Sequence, residues 1–357
     1  MKKRALSLLM AVLMVVGLLP ATTRAADGTL NGDSSVGTAA ELAALGGKDI
    51  VGNITLTANI DMSETAMTPI KSLKGCFNGD GKTISNLTLV GQTGGGAWAQ
   101  KYTALIGTLN GGSIKNLKLE KISVSADTNT ANYNHLSTLI GYVNGGNCTI
   151  ENCVVTGNVT YTAPDTEKYP STNYVSGLVG EVFGYYNNSA ELQIVNCTVD
   201  VAVTGAKKDY AAGLVATSGA VSGTVENCAV LGNVTADKSA GYAGGLLGAT
   251  VSSTQFTFSN CYYAGTVSGS KARTMALMTS TKKNAGTLTY NDSCYYLKNA
   301  SQEIDAKGGS STTVAGDPVA VESTTELKAL KLNGFEVREG EFNNYPVPKW
   351  TPAAAPD

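Results

Sequence analysis

The chain has 357 residues, 15% of them charged against the roughly 25% of an average globular protein, with 41 glycines, one histidine and a formal net charge of −2. A hydrophobic fraction of 43% with so little charge excludes disorder, and the single histidine, His135, excludes every site that needs two or three imidazoles.

Residues 1–25 read as a signal peptide. Lys2, Lys3 and Arg4 form a basic start, Leu6 to Leu19 an apolar run of 14 residues, and Thr23-Arg24-Ala25 a small-x-small cleavage pattern. The run is shorter than the ~20 residues that cross a membrane and no second one follows, so an exported chain without a membrane span is expected. Without the four basic residues of this segment, 22 basic residues face 28 acidic ones, a charge of −6 that does not favour nucleic acid. Residues 26–73 are expected to form an N-terminal cap, in which residues 38–45 read as a short helix stopped by Gly46-Gly47 and residues 53–56 as a strand.

A repeat fills residues 74–300. Asn86, Asn116, Asn152, Asn196, Asn227 and Asn260 each precede Leu or Cys, and Ser293 takes the slot in a seventh copy, at spacings of 30, 36, 44, 31, 33 and 33 residues. Between these copies lies a second column of the form small-Leu-apolar-small, beginning at Ala104, Thr138, Gly177, Gly213, Gly245 and the degraded Ala276. GNVT or GTVS elements at Gly157, Gly232 and Gly265 close the units. Strands of three to five residues bury no core alone, so each unit must stack on the next at the ~4.8 Å strand spacing. The expected fold is all-β: a right-handed parallel β-helix of about seven rungs. A β-propeller, the runner-up, needs four strands per blade, for which these units are too short. Residues 301–350 read as a C-terminal cap with a helix over 323–330, where Ser323 and Glu326 have capping-box spacing, and residues 351–357 as a tail. Residues 308–316 are small and polar and read as a loop.

The G-L-hydrophobic-G strand, the T-[IV]-x-N-C strand and the G-x-V-[ST] turn resemble the GLUG repeat of bacterial surface proteins, including the non-catalytic region of immunoglobulin-A-cleaving metallopeptidases. FNGDGKTISNLTL, from Phe77 to Leu89, resembles the first rung of such proteins, and NYPVPKW, from Asn344 to Trp350, resembles their closing segment. The resemblance covers residues 37–350 and implies the fold rather than an activity. Ala216 and Thr279 replace the second glycine of the motif, which implies distorted last rungs.

Cys153, Cys197, Cys228, Cys261 and Cys294 occupy the slot that Leu87 and Leu117 fill in earlier copies, which marks them as small interior hydrophobes; Cys76 and Cys148 lie off this column. Stacked neighbours keep their Cβ atoms farther apart than the ~3.8 Å of a disulfide, and a straight column spreads its sulfurs too widely for tetrahedral zinc. No metal or other cofactor site is expected. The asparagines read as a structural ladder of stacked amides at a tight corner.

For catalysis, Glu151 and Glu226 take equivalent outward positions with Val195 between them, at ~9.5 Å, near the upper limit for an inverting carboxylate pair. Lys115 and Ser259 complete that column, which reads as solvated surface; no calcium-type acidic cluster and no Gly-x-Ser-x-Gly accompanies it. His135, in NYNHLS, reads as a surface loop residue, and Gly94-Gly95-Gly96 as a turn. Insertions between rungs fall mainly before the next Leu column, over residues 91–101, 126–135, 160–173, 207–210 and 237–242, and bring Trp98, Tyr102, Tyr133, Tyr161, Tyr169, Tyr174, Tyr210 and Tyr242 as candidate ligand contacts. The expected function is a secreted or cell-surface binding or adhesion module for a glycan or a surface protein, without catalysis. A polysaccharide-active lyase or glycosidase, or a structural stalk, is the alternative.

Overall fold

The computed structural model describes residues 28–91, 100–127, 133–162, 172–184, 190–205, 209–219, 221–237, 242–251, 253–269, 271–273, 286–291, 293–298 and 313–350. The expected signal peptide lies outside the described residues, as do Trp98, Tyr169 and residues 351–357. Among the described residues no helix is long and apolar enough to cross a membrane.

The chain alternates apolar and polar residues over short strands, and each strand pairs with its equivalent one repeat away. In Gly146–Glu151, for example, Cys148 and Ile150 point into the core while Thr149 and Glu151 face out, and the strand pairs in register with Ala190–Val195. Four sheets result. Sheet A runs in eight strands from Thr29–Asn31 to Leu247–Val251, sheet B in ten from Ser34–Val36 to Thr313–Ala315, sheet C in twelve, and sheet D in six from Gln100–Thr103 to Lys271–Arg273. All pairing within these sheets is parallel, and the chain visits D, A, B and C in turn: Tyr133–Ser137, Ile140–Asn144, Gly146–Glu151, Val154–Tyr161. One continuous apolar cluster lies between the sheets. This all-β arrangement is consistent with a β-solenoid. Among the described residues antiparallel pairing joins only Phe335–Val337 to Pro346–Pro348, which leaves no propeller blade.

The motif residues mark corners. Leu105, Leu139, Leu178, Leu214 and Leu246 turn the chain from sheet D to sheet A and are all buried in the central cluster. The step from sheet B to sheet C needs a left-handed residue, and Asn116, Asn152, Asn196, Asn227 and Asn260 supply it with φ between 51° and 54°, Ser293 with φ 67°. Asparagine tolerates this region because its short polar side chain can hydrogen-bond locally. Asn152 Nδ2 donates to Asn116 Oδ1 at 2.7 Å and Asn260 Nδ2 to Asn227 Oδ1 at 2.7 Å, so these amides form the expected ladder links.

Asn86 is a correction. Ser85 is in register with Glu120, which sets Asn86 (φ 57°) beside Lys121 (φ 56°) rather than beneath Asn116, and its amide donates to Asp61. The amide of Asn116 reaches Asn78 instead. Leu87 therefore also leaves the cysteine column. Two corners that both need a left-handed residue followed by a buried apolar one produce the same local sequence, so the copy at Asn86 mimics the motif one strand out of phase.

Parallel pairing also reaches the segment that precedes the repeat. Strands Thr29–Asn31, Asp49–Val51 and Ile70–Leu73 already belong to sheet A, so parallel pairing extends through the segment expected to be a cap. The helix there is Ala39–Ala43; Thr38 accepts from the Glu41 N–H, Glu41 accepts from the Thr38 N–H, and Leu42 enters the core. The second helix, Thr324–Lys328, has Ser323 accepting from the Glu326 N–H, while the Glu326 carboxylate takes the N–H of Glu322. Residues 321–347 bury Leu327, Leu332, Phe335 and Val347 in a second apolar cluster with Ala229 and Tyr262 of sheet C and with Ala264 just beyond it. The Tyr262 hydroxyl donates to the Pro346 carbonyl. Because Tyr263, the next residue, enters the main core, Tyr262 faces the other way, and this segment lies on the outer side of sheet C.

Cys153, Cys197, Cys228, Cys261 and Cys294 stack in one buried column, and Cys148 is buried in another; all seven cysteines are free. Burial pushes the Cys153 and Cys228 thiols up, and that of Cys294 to about 12. The thiolate is the reactive form, so native protein treated with a chromogenic thiol reagent at pH 8 is expected to release one rapid equivalent, from the half-buried Cys76. Denatured but unreduced protein is expected to release seven. Three missing pairs of thiols in the second measurement would overturn the column.

Candidate functional site

In sheet D alternation sets Leu136 and Asn134 on one side and Tyr133, His135 and Ser137 on the other. On the inner side Asn134 Nδ2 donates to Asn173 Oδ1 at 2.7 Å and Asn173 Nδ2 to Asp209 Oδ1 at 2.6 Å, a buried polar ladder that fixes the register of the strands. On the outer side Tyr102, His135, Tyr174, Tyr210 and Tyr242 are directly in register. Successive ring centroids lie 4.9, 4.8, 5.8 and 5.0 Å apart, with interplanar angles from 13° to 40°. Such pairs are worth about 0.5–1.5 kcal/mol each beyond their area.

The column explains the second glycine of the G-L-hydrophobic-G motif. A Cβ on Gly141 would come within 2.9 Å of Tyr102 Cβ and 2.8 Å of the Gly107 carbonyl oxygen, and one on Gly180 within 2.5 Å of the Gly141 carbonyl oxygen and 3.2 Å of His135 Cβ. The rings of sheet D lie over the bare backbone of sheet A. The residues that follow these glycines, Tyr142 and Glu181, are in register with one another and stand beside the column. Tyr142 stacks on Tyr102 at 5.8 Å and meets His135 edge-on at 5.7 Å.

At the centre His135 has no exposed surface, and its Nδ1 lies 3.5 Å from Glu181 Oε2. Neither imidazole nitrogen has a hydrogen-bond partner among the described residues. Burial lowers His135 to about 3 and raises Glu181 to about 8. Burial, with the nearby Glu181 carboxylate second, raises Tyr102 to about 12 and lifts Tyr174 further. Perturbed acids and bases gathered on one face are a recognised mark of a functional site.

Four of the eight candidate residues, Tyr102, Tyr174, Tyr210 and Tyr242, thus come together, with Tyr133 on the same side. Tyr161 does not join them: it is 2% exposed and belongs to the main core. The insertion expected to begin at residue 160 starts after the strand Val154–Tyr161, whose alternation turns that ring inward. His135 is likewise corrected from a surface loop to a buried strand position. Sequence reasoning missed His135, Tyr142 and Glu181, although a signal existed: His135 stands four residues before a motif leucine, as Tyr174, Tyr210 and Tyr242 do.

Two other places bear on function. Lys115, Glu151, Val195, Glu226 and Ser259 form one register column on sheet B, with both glutamates exposed. A groove of about 380 Å³ between sheet C and the C-terminal segment is lined by Lys118, Lys121, Asp200, Arg338 and Glu341 among others. Arg338 there is committed to Glu336 at 3.0 Å and to the Pro348 carbonyl at 3.1 Å.

No family model matches the chain. No curated protein matches it either. A solved structure described as a "putative immunoglobulin A1 protease" from Bacteroides ovatus is similar to it, with a TM-score of 0.62 and 20% identity over 89% of this chain and 93% of that one. At that identity the likeness concerns the fold.

Proposed function

We propose that the chain is an exported GLUG-type right-handed β-helix of about seven repeat-bearing rungs with short helical caps, and that it acts as a non-catalytic binding or adhesion module for a glycan or a surface protein. One observation carries this reading. The connections entering the first five sheet D strands span residues 91–99, 127–132, 162–171, 205–208 and 236–241 and that entering the sixth only 269–270, whereas each of the first five passes on to sheet A through two residues, as at 138–139 and 177–178. Between residues 100 and 251 the longest connection, 162–171, therefore enters the sheet that carries the tyrosine column, and repeat proteins carry recognition where their insertions cluster. Inside the column each ring lies face to face with its neighbours, so Tyr174 and Tyr210 offer edges and hydroxyls to a ligand rather than faces for sugar stacking.

Arrays of glycans and of cell-wall and host proteins test this. Saturable binding without turnover is expected, and Tyr174→Phe, Tyr210→Phe and Tyr242→Phe together, which keep the stacking but remove three hydroxyls, should weaken it by roughly ten-fold or more, the scale of one or two hydrogen bonds. Unchanged affinity in a normally folded triple variant would move the contact surface elsewhere. Release of reducing sugar or unsaturated uronate, abolished by Glu151→Gln, would favour the enzyme alternative, and cleavage of immunoglobulin A1 the activity named for the structural neighbour.

A further inference from the structure

We propose that His135 and Glu181 together hold one proton through the neutral range, and that losing it in mild alkali loosens the tyrosine column. The use of this device to regulate binding rests on the reading above; the proton site itself rests on the geometry alone.

The pair bridges two turns of the fold, His135 on a sheet D strand and Glu181 on the sheet A strand of the following repeat. His135 is enclosed by Tyr102 at 4.9 Å, Tyr174 at 4.8 Å and Tyr142 at 5.7 Å, and the Glu181 side chain is 12% exposed. Among the described residues the titratable groups facing the pair are these three tyrosines, with Tyr133 and Tyr210 acting on Tyr174 beyond; none of these is cationic near neutrality.

A lone charge in such a place is costly. Two arrangements avoid one: neutral imidazole beside a carboxylic acid, or imidazolium beside carboxylate. They differ only in where the proton sits, so each contains one. A second proton would leave an uncompensated imidazolium, and that step is held down to about 3. Losing the last proton leaves an uncompensated carboxylate, and that step is held up to about 8. The unfolded chain, with ordinary values of 4.5 for Glu and 6.5 for His, carries two protons on these groups below 4.5, one from 4.5 to 6.5 and none above. The contribution to stability is therefore flat from 4.5 to 6.5. From 6.5 to 8 it falls, because the native pair keeps a proton that the unfolded chain has lost, and the folding equilibrium should drop roughly 30-fold. Below 4.5 it falls again as the unfolded chain takes its second proton. The bare carboxylate is then a charge 3.5 Å from the ring at the centre of the column and acts on Tyr102 and Tyr174 to either side of it, so its appearance is felt by the stacked rings.

His135 is the only histidine, so its ring resonances need no assignment. Imidazole and glutamate carboxyl signals, near-ultraviolet tyrosine dichroism and urea midpoints are to be followed from pH 4 to 9.5 in the wild type and Glu181→Gln. The wild type is expected to show no imidazole step near 6.5 and one step near 8, accompanied by a change in tyrosine dichroism and the roughly 30-fold fall. Glu181→Gln should lack all three changes near 8. An imidazole step near 6.5 in the wild type, or the same fall in both proteins, would overturn the proposal. Should the variant not fold, the wild-type titration decides alone. If no array member binds at any pH while the step near 8 and its tyrosine signal persist, the binding reading fails and the proton site stands.

Discussion

Leu178→Asp is expected to leave no native protein. Leu178 is fully buried at the corner between sheets D and A, in line with Leu139 before it and Leu214 after it, and its carbonyl accepts the Ile140 N–H at 3.1 Å. Removing the side chain costs about 2–5 kcal/mol, and an unpaired carboxylate costs several more, against a domain stability of ~5–15 kcal/mol. The architecture magnifies the effect. Each repeat touches mainly its neighbours, so a failure in the middle of the stack uncovers two apolar cross-sections and two sets of strand edges at once. Leu178→Met, which conserves volume, should cost under about 1.5 kcal/mol. Far-ultraviolet dichroism and thermal melting compare the three proteins, and a soluble Leu178→Asp with the wild-type spectrum and melting temperature would reject an interior column at this corner.

The sheets were legible in the sequence because a stacked fold repeats its demands. Leu105, Leu139, Leu178, Leu214 and Leu246 recur because one corner needs one buried apolar residue in each repeat, and the asparagines recur because the corner from sheet B to sheet C needs a left-handed backbone. The same logic misled at Asn86, where a different corner makes the same demand. Residues 29–73 were harder to place: they join the same sheets with other corner chemistry, so no motif announced them. The candidate site was half visible. Tyr174, Tyr210 and Tyr242 could be picked out as rings, but their arrangement as one stacked column depends on register across repeats. Glu181 looked like any polar residue on a strand; its burial follows from the glycine before it, which lets the rings of sheet D lie across sheet A. A glycine announces space, and only the fold says what fills it.

At the ladder corner, Asn152→Ala should destabilise by about 2–4 kcal/mol and Asn152→Gly by distinctly less. Two costs separate here. Asn152 is 6% exposed, and its amide donates to Asn116 Oδ1; deleting it leaves a buried acceptor short of a partner, at about 1–3 kcal/mol. Its φ of 52° separates the two variants: a Cβ here meets the following carbonyl at about 1–2 kcal/mol, which asparagine offsets in part through its polar side chain, alanine does not offset and glycine avoids. Urea midpoints should therefore order wild type above Gly above Ala. Lys121 supplies the control with the sign reversed: it also has a φ of 56° but no place in the asparagine ladder, so Lys121→Gly relieves backbone strain and should be neutral or stabilising by up to about 1 kcal/mol. If Asn152→Ala proved as stable as Asn152→Gly, the corner would not be left-handed, and asparagine would recur in the repeat for its amide alone.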